Sequence, residues 1–474
     1  MSEKEKTTVM NFIDTENHDS TRNPTATTDR GETFQSTVGH GRQFLRVDSR
    51  HAESHAILAQ QYHERGEFEQ AEKYYSQAVE QNPNLLGAWF GLGILLQHRF
   101  ALPEARVAYQ RVVELKPDFA DAWNRLGHVH FDLAEPAAAI TCYSRAMELS
   151  PDDPHPRCDR ALAYLLSGDD ERGWREYESR WELPGHQPPQ FLQPRWDGTP
   201  LNGRTIFLDW EQGFGDTLLF ARFAALVQQQ GGQVILRCQK PLARILNRTP
   251  GINRLIANGE ELPHFDVHAP LMSVPFLINL KIKSLPACVP YISPDPALLD
   301  LWEQKLSGYQ GLRIGISWKG NPGYQRDQFR SIPLATFTPL AAIPDVQLFS
   351  LQKNADEENT PFPLINFGEE LDNQHGPFMD TAAIMRNLDL VITADTSIGH
   401  LAGALGVPVC VLQCALPEWR WQLDPTRTPW YPTMRLYRQQ LLGDWQAVFE
   451  KLVTDVNGLL QKRTFSSQQQ QRGS

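Results

Sequence analysis

A step of 34 residues constrains this chain more than any other feature. Tyr75, Tyr109, Tyr143 and Tyr177 follow one another at that interval, as do Ala71, Ala105, Ala139 and Gly173, and Pro83, Pro117 and Pro151. Trp89 and Trp123 stand in register, followed by Leu92-Gly93 and Leu126-Gly127. A unit this short cannot bury its apolar face alone, so successive copies must stack on one another. The pattern predicts two antiparallel helices per unit, small residues where helices cross, and a proline closing each unit. Four units follow from Ala52: 52–85, 86–119, 120–153 and 154–187. The last is irregular, with Arg157 where tryptophan stood and Trp174 and Trp181 late in the unit.

Period and signature positions together resemble the tetratricopeptide (TPR) repeat. The resemblance implies an α-solenoid whose concave groove holds a protein or an extended peptide. The same stack also serves as a spacer or a dimerisation surface, and the sequence leaves these open. His51 and His55, and His128 and His130, have no Cys or carboxylate at ligating spacing, and read as packing or surface histidines.

Elsewhere the composition narrows the possibilities. The chain has 474 residues, 41% hydrophobic and 21% charged, with a net charge of -11. Length and apolar content suit two or three domains with proper cores. The acidic balance argues against a nucleic-acid or membrane-surface role, since both need a basic field. No run approaches the ~20 apolar residues of a membrane span. The first twenty residues have no apolar core for a secretory signal, and residues 1–48, rich in Ser, Thr, Asn and Asp, read as a disordered arm. Six cysteines without a CxxC pair read as reduced, packed thiols, which places the chain in the cytoplasm. Cys410 and Cys414 are spaced CxxxC without further ligands, so no metal site is expected.

After a Pro- and Gly-rich linker at 188–203, the pattern switches to alternating strands and helices. Arg204–Leu208 reads as a strand, 209–216 (DWEQGFGD) as a glycine turn, Thr217–Gln229 as an amphipathic helix and Gly232–Arg237 as a second strand. Short strands near 254–257 and 265–268 complete a first half at 204–300. A second half, 310–462, opens with the strand Leu312–Trp318 and a polar loop, then a helix near 334–342 and the strand Val346–Leu351. Its centre is 388–408, LDLVITADTSIGHLAGALGVP: a buried strand, three residues that favour helix N-caps, a small-residue helix and a further strand at 407–412. Anions favour such a helix start at the carboxyl end of a parallel strand. An amphipathic helix at 443–462 closes the half, and 463–474 reads as a polar tail.

Six pieces of this region occur in the order of the heptosyltransferase-like glycosyltransferases, which the region resembles. They are EQGFGDTLLFARF (211–223), SWKGNP (317–322), RSIPL (330–334), SLQK (350–353), DTSIGHLAGALGVPV (395–409) and WRW…PWYP…RLYRQ (419–439). The likeness extends to bacterial proteins that fuse TPR repeats to such a domain. It implies the fold class α + α/β: a TPR α-solenoid followed by a GT-B pair of Rossmann-like domains. The implied activity moves a sugar from a nucleotide-diphosphate donor, the co-substrate, to an acceptor hydroxyl, with no other cofactor. The lipopolysaccharide heptosyltransferases carry no TPR arm, so their substrate does not carry over. Protein O-linked sugar transferases also join TPR repeats to a GT-B pair, so a protein acceptor comes into view. A TPR scaffold with an inactive transferase-like domain is the rival reading.

The reaction needs a base for the acceptor and a grip on the leaving diphosphate. The resemblance places Asp216 where heptosyltransferases carry their base; otherwise it caps the following helix. Thr396, Ser397 and the N–H groups of Ile398 and Gly399 are the diphosphate candidates. Lys319, Arg330 and Ser331 on the polar loop add charge-assisted bonds, although Arg330 also reads as a solvated loop cation. Asp395 either accepts from sugar hydroxyls or caps its own helix. Gln352 and Lys353 end a strand on the expected nucleotide side, and His400 either reaches the phosphates or packs. No DxD motif stands at a strand end, so metal-independent transfer is expected. The aromatic cluster at 419–421 and 430–432 either stacks a ligand or braces the last helix against the first half.

Overall fold

A computed structural model describes residues 51–285, 289–353 and 360–472, with side chains through Arg463. The arm expected at 1–48, and Cys288, lie outside the described residues. Contacts divide the chain into two units, one holding the repeats through Gln187 with Pro417–Arg420, the other Pro188–Leu416 with Trp421–Ser474.

The repeat unit is made of helical hairpins, α1 (Ala52–Glu64) with α2 (Phe68–Gln81), α3 (Leu86–His98) with α4 (Leu102–Leu115), α5 (Ala120–Asp132) with α6 (Pro136–Leu149), and α7 (His155–Ser167) with α8 (Asp170–Tyr177). The 34-residue period has a steric cause. A Cβ on Gly127 would stand 2.5 Å from the Tyr143 ring, and one on Gly93 would stand 2.7 Å from Tyr109, so each tyrosine occupies space that only glycine vacates. The prolines and tryptophans are paired too: Trp89 Nε1 donates to the Pro83 carbonyl and Trp123 Nε1 to that of Pro117, both at 3.0 Å. Arg157 breaks that pairing in the fourth unit, which ends in the short α8.

The other unit holds two all-parallel sheets. In the first, β1 (Thr205–Asp209), β2 (Gln233–Cys238), β3 (Arg254–Ala257) and β4 (Val267–Pro270) lie in the order β3-β2-β1-β4. In the second, β5 (Leu312–Ser317), β6 (Val346–Ser350), β7 (Leu390–Ala394), β8 (Val409–Gln413) and β9 (Met434–Arg438) lie in the order β6-β5-β7-β8-β9. Each order reverses once, between β1 and β4 and between β5 and β7. Loops diverge at such a point and leave a crevice at the strands' carboxyl ends.

Several expectations need correction. The helix expected at 217–229 starts earlier and is broken, as α9 (Phe214–Phe220) and α10 (Phe223–Gln228), because Gly213 serves as the N-cap. The linker 188–203 is packed down: Trp196 is buried, its N–H donates to the His268 carbonyl at 2.8 Å, and its indole donates to Thr199 O. Helices α11 (Pro296–Leu306) and α12 (Met379–Arg386) and strand β9 are additional elements. The closing helix, here α14 (with α13, Ser397–Ala404, before it), runs over Trp445–Arg472. The tail expected from 463 is therefore helical through Arg472, since no proline or glycine interrupts it before Gly473. Trp445, Val448, Phe449, Leu452 and Val456 of α14 share one core with β5–β8 residues such as Ile314, Ile392 and Leu412, so α14 covers the second sheet.

Candidate functional site

The two sheets are joined through a pair of their helices. Helix α9 leaves the first sheet after β1, α13 leaves the second after β7, and the two pack directly together. Gly215, in the first turn of α9, lies against His400 of α13, where a Cβ would stand 2.8 Å from Cδ2 of the ring. The turn before α9 is not a left-handed glycine turn. Gln212 carries the positive φ of 56°, while Gly213 is extended and caps the helix. Gly215 is required by the close approach instead.

Asp216 is the third residue of α9 and is buried, with its carboxylate accepting from the Gly213 N–H at 3.3 Å. It thus caps the helix to which it belongs, and its charge is felt at Tyr431. Nearby, Glu211 accepts from the Met272 N–H at 2.8 Å, which ties the loops after β1 and β4 across the first switch point. Asp209, at the end of β1, receives both arms of Arg237 at 2.7 and 2.6 Å.

On the second sheet, Thr396 is the N-cap of α13, so Asp395 does not cap its own helix. The Asp395 carboxylate accepts from the Trp421 indole at 2.7 Å. The Thr396 hydroxyl accepts from Ile398 N at 3.3 Å and its carbonyl from Gly399 N at 3.0 Å. The amides of Ile398 and Gly399, expected to face a diphosphate, are therefore turned to Thr396. A phosphate oxygen would take the Ile398 N–H only by displacing the threonine hydroxyl. Ser397, half-buried, makes no hydrogen bond among the described residues through its N–H or hydroxyl.

Arg330 comes to this helix start. Its Nη1 donates to the Asp395 carbonyl at 3.3 Å, its Nε donates to Asp327 at 2.9 Å, and its guanidinium lies over Tyr324 at 4.4 Å. It is an anchored side chain and not a solvated loop cation. Ser331 is committed to the same loop, donating to Asp327 at 2.8 Å and accepting from Gly320 N at 3.0 Å. Lys319 is exposed on the loop after β5. Gln352 does not offer its carbonyl to a nucleotide. That oxygen accepts from Ser317 Oγ, Trp318 N and Lys319 N at 3.2, 3.2 and 2.9 Å, and so fixes the end of β5. Lys353, beside it, is exposed.

His400 is buried and packs: its ring stacks on Trp421 at 4.9 Å, and Nδ1 lies 3.2 Å from the Tyr431 hydroxyl. Around it are Arg222 and Tyr291, which sequence patterns did not single out, and Trp430 and Tyr431 of the aromatic cluster, which they did. Buried Arg222, the N-cap residue of α10, donates to the Trp430 carbonyl at 2.8 Å and lies over the rings of Tyr291 and Tyr431 at 4.5 and 5.1 Å. Trp430 also packs beside Phe220 and Phe223. The Trp430–Tyr431 segment thus braces α9 and α10. An arginine in the apolar run between α9 and α10 is the sequence signal for this contact on the side of the first sheet. Burial raises Tyr291 and Tyr431 above the ordinary phenol range; Arg222 opposes the shift. Among the described residues no cluster of three or more His, Cys, Asp or Glu stands at ligating spacing, and no helix is long and apolar enough to cross a membrane.

Family models agree with the N-terminal architecture. Models described as tetratricopeptide repeat match residues 52–95 and 120–153, and one described as TPR repeat matches 101–133. The N-terminal region is a solenoid of TPR repeats, a protein-interaction module. Protein FlbA of Caulobacter vibrioides is 28% identical over 323 residues, covering 62% of this chain and 54% of FlbA. The chain thus spans about half the length of that relative. Similar solved structures include YrrB, described as a TPR protein with an unusual peptide-binding site, at 19% identity (30% of this chain, 74% of that one, TM-score 0.29). MamA is similar at 22% identity (33% of this chain, 95% of that one, TM-score 0.30).

Proposed function

We propose that the two-sheet unit is a GT-B glycosyltransferase related to the heptosyltransferases, moving a sugar from a nucleotide-diphosphate donor to an acceptor hydroxyl. The observation that carries this reading is the junction of α9 and α13. It packs the helix that carries a buried carboxylate, Asp216, against the helix whose start holds Thr396 and Ser397 and receives Arg330. In the proposed reaction Asp216 takes the acceptor proton as the acceptor oxygen bonds to the sugar's anomeric carbon. The bond from that carbon to the diphosphate breaks, and its electron pair leaves with the diphosphate. Arg330, the Ser397 N–H and hydroxyl, and Lys319 meet the developing charge, which calls for no divalent ion. Asp395, held by Trp421, accepts from donor sugar hydroxyls. The TPR unit holds a protein or peptide, the acceptor itself or an assembly partner, and the chain works in the cytoplasm.

The test is a thermal-shift panel of ADP-, UDP- and GDP-sugars, followed by turnover with and without a chelator. One nucleotide class is expected to raise the melting temperature. Turnover is expected to survive chelation and to be lost in Asp216→Asn while binding persists. If no donor shifts the melting temperature, the unit is a scaffold that works through its repeats alone.

A further inference from the structure

The helical run 240–246, which follows β2, borders a cavity of about 320 Å³ at the carboxyl edge of the first sheet. Arg244, Asn247 and Arg248 line it from this run and its exit, Ala257 from the end of β3, and Met379 from the first turn of α12. A space of this size takes a small ligand or one end of a larger one. Both carboxylates in the lining are already engaged. Glu260 accepts from the Ala257 N–H at 3.1 Å, and Asp295 accepts from the Ala297 N–H at 3.0 Å and from Arg248 at 3.3 Å. Arg244 instead donates to the His375 carbonyl, with its stem along Gly376, where a Cβ would stand 3.2 Å from Cδ. Its charge meets no carboxylate within ion-pair reach among the described residues, and the side chains of Asn247 and Ser293, also in the lining, make no hydrogen bond among them. A guanidinium held in place beside an amide and a hydroxyl is a donor set for an anionic oxygen. Among the described residues no aromatic ring lines the cavity for an uncharged sugar to stack on.

Two contacts tie this cavity to the turn that carries Asp216. Gln239, next to the helical run, donates through Nε2 to the Gln212 carbonyl at 3.1 Å. Phe378, next to Met379, packs edge-on against Phe214 at 5.8 Å. Gln212 and Phe214 flank Gly213, whose N–H donates to the Asp216 carboxylate. We propose that the cavity receives a phosphate or carboxylate group of the acceptor, held by Arg244, so that the hydroxyl to be glycosylated has an anionic neighbour. The proposal rests on the transferase reading and names the chemical class of its acceptor. The anion of the acceptor and the diphosphate of the donor then fall to different cations, Arg244 after β2 and Arg330 on the loop after β5.

The experiment reads Met379 in the full chain by carbon-13 NMR of the methionine methyl groups, its signal being the one lost in Met379→Leu. Inorganic phosphate and acetate are titrated separately, at an ionic strength held constant with chloride. The Met379 signal is expected to move saturably, with phosphate alone for a phosphorylated acceptor and with acetate for a carboxylate. Arg244→Gln should weaken that binding about tenfold or more, the loss of one charge-assisted bond. Arg248→Gln, which leaves Asp295 uncompensated in the cavity, should weaken it as well, and serves if Arg244→Gln does not fold. Arg254→Gln, an exposed arginine at the other end of β3, should leave it unchanged. A Met379 signal that ignores both anions, binding that neither cavity variant weakens, or an equal loss in Arg254→Gln would overturn the proposal. A donor panel with no melting shift while Met379 still responds would end the transferase reading and leave an anion site; a silent Met379 in a chain that binds donor would end this proposal alone.

Discussion

Gly215 and His400 share a space that admits only one side chain: a methyl group on the glycine would stand 2.8 Å from Cδ2 of the ring. The contact joins the first turn of α9 to the first turns of α13, so it sets the spacing between the helix that carries the proposed base and the helix that starts at the proposed anion site. Gly215→Ala should force one helix away, at a cost typical of overpacking, about 1–3 kcal/mol. His400→Ala in the same chain should recover part of that loss by vacating the ring's volume. A double-mutant cycle on urea midpoints measures the coupling, and additive effects would mean that the helices yield without strain.

Arg330 gives a prediction about the ligand. Its guanidinium spans Asp327 and the Asp395 carbonyl, so it reaches the start of α13 in a fixed geometry. Loss of a charge-assisted bond to a diphosphate costs ~1.5–3 kcal/mol. Arg330→Ala should therefore weaken nucleoside-diphosphate binding about ten- to a hundredfold. Arg330→Lys should recover only part of this, because an ammonium cannot hold both anchors and still face the ligand. Calorimetry with the nucleotide found in the thermal-shift panel reads the result directly.

What the sequence revealed and what it concealed follow from the range of the interactions involved. The repeats were legible because Gly93 and Tyr109, or Gly127 and Tyr143, are sixteen residues apart and recur at a fixed step. Strands such as Arg254–Ala257 and Leu390–Ala394 were legible from runs of apolar residues. Strand β9, MRLYR, was hidden by its arginines and by the aromatic run before it. Helix α11 had its signal in plain view, as Asp295 caps Pro296 and accepts from Ala297 N at 3.0 Å. In the site, residue types pointed to the right loops and only partly to the right roles. The Ile398 and Gly399 amides are taken by Thr396, the N-cap that the pattern itself offered, while Gln352 turns to a loop more than thirty residues away, and the Arg222–Tyr291–Tyr431 contact joins segments about 70 to 210 residues apart.

The repeat unit should respond to pH through His128. Burial alone would lower its titration, but Asp159 at 2.7 Å outweighs that and raises it, with Asp132 adding to the shift and Arg125 opposing it. A histidine raised in the folded state contributes stability that is fully present below its unfolded value of about 6.5 and is lost as pH rises through the folded value. The urea midpoint of the helical signal should therefore fall as pH climbs from about 6 to above the folded value. Asp159→Asn should flatten this component. An unchanged slope in that variant would assign the pH response to other groups.

Trp421 holds Asp395 through its indole N–H at 2.7 Å and stacks on His400 at 4.9 Å, two contacts that one substitution separates. Trp421→Phe keeps a ring against His400 and removes the donor. Hydrogen bonds to a charged group contribute about 1.5–3 kcal/mol, so stability should drop within that range. The larger consequence concerns ligand choice. If Asp395 is held in order to receive sugar hydroxyls, releasing it should weaken binding of the sugar-bearing donor while leaving the bare nucleoside diphosphate nearly unaffected, because the latter rests on Ser397 and Arg330. Paired titrations of the two ligands against native and variant chains give that ratio. Equal losses for both would make Trp421 a support for the helix start as a whole, and equal affinity throughout would remove Asp395 from the sugar site.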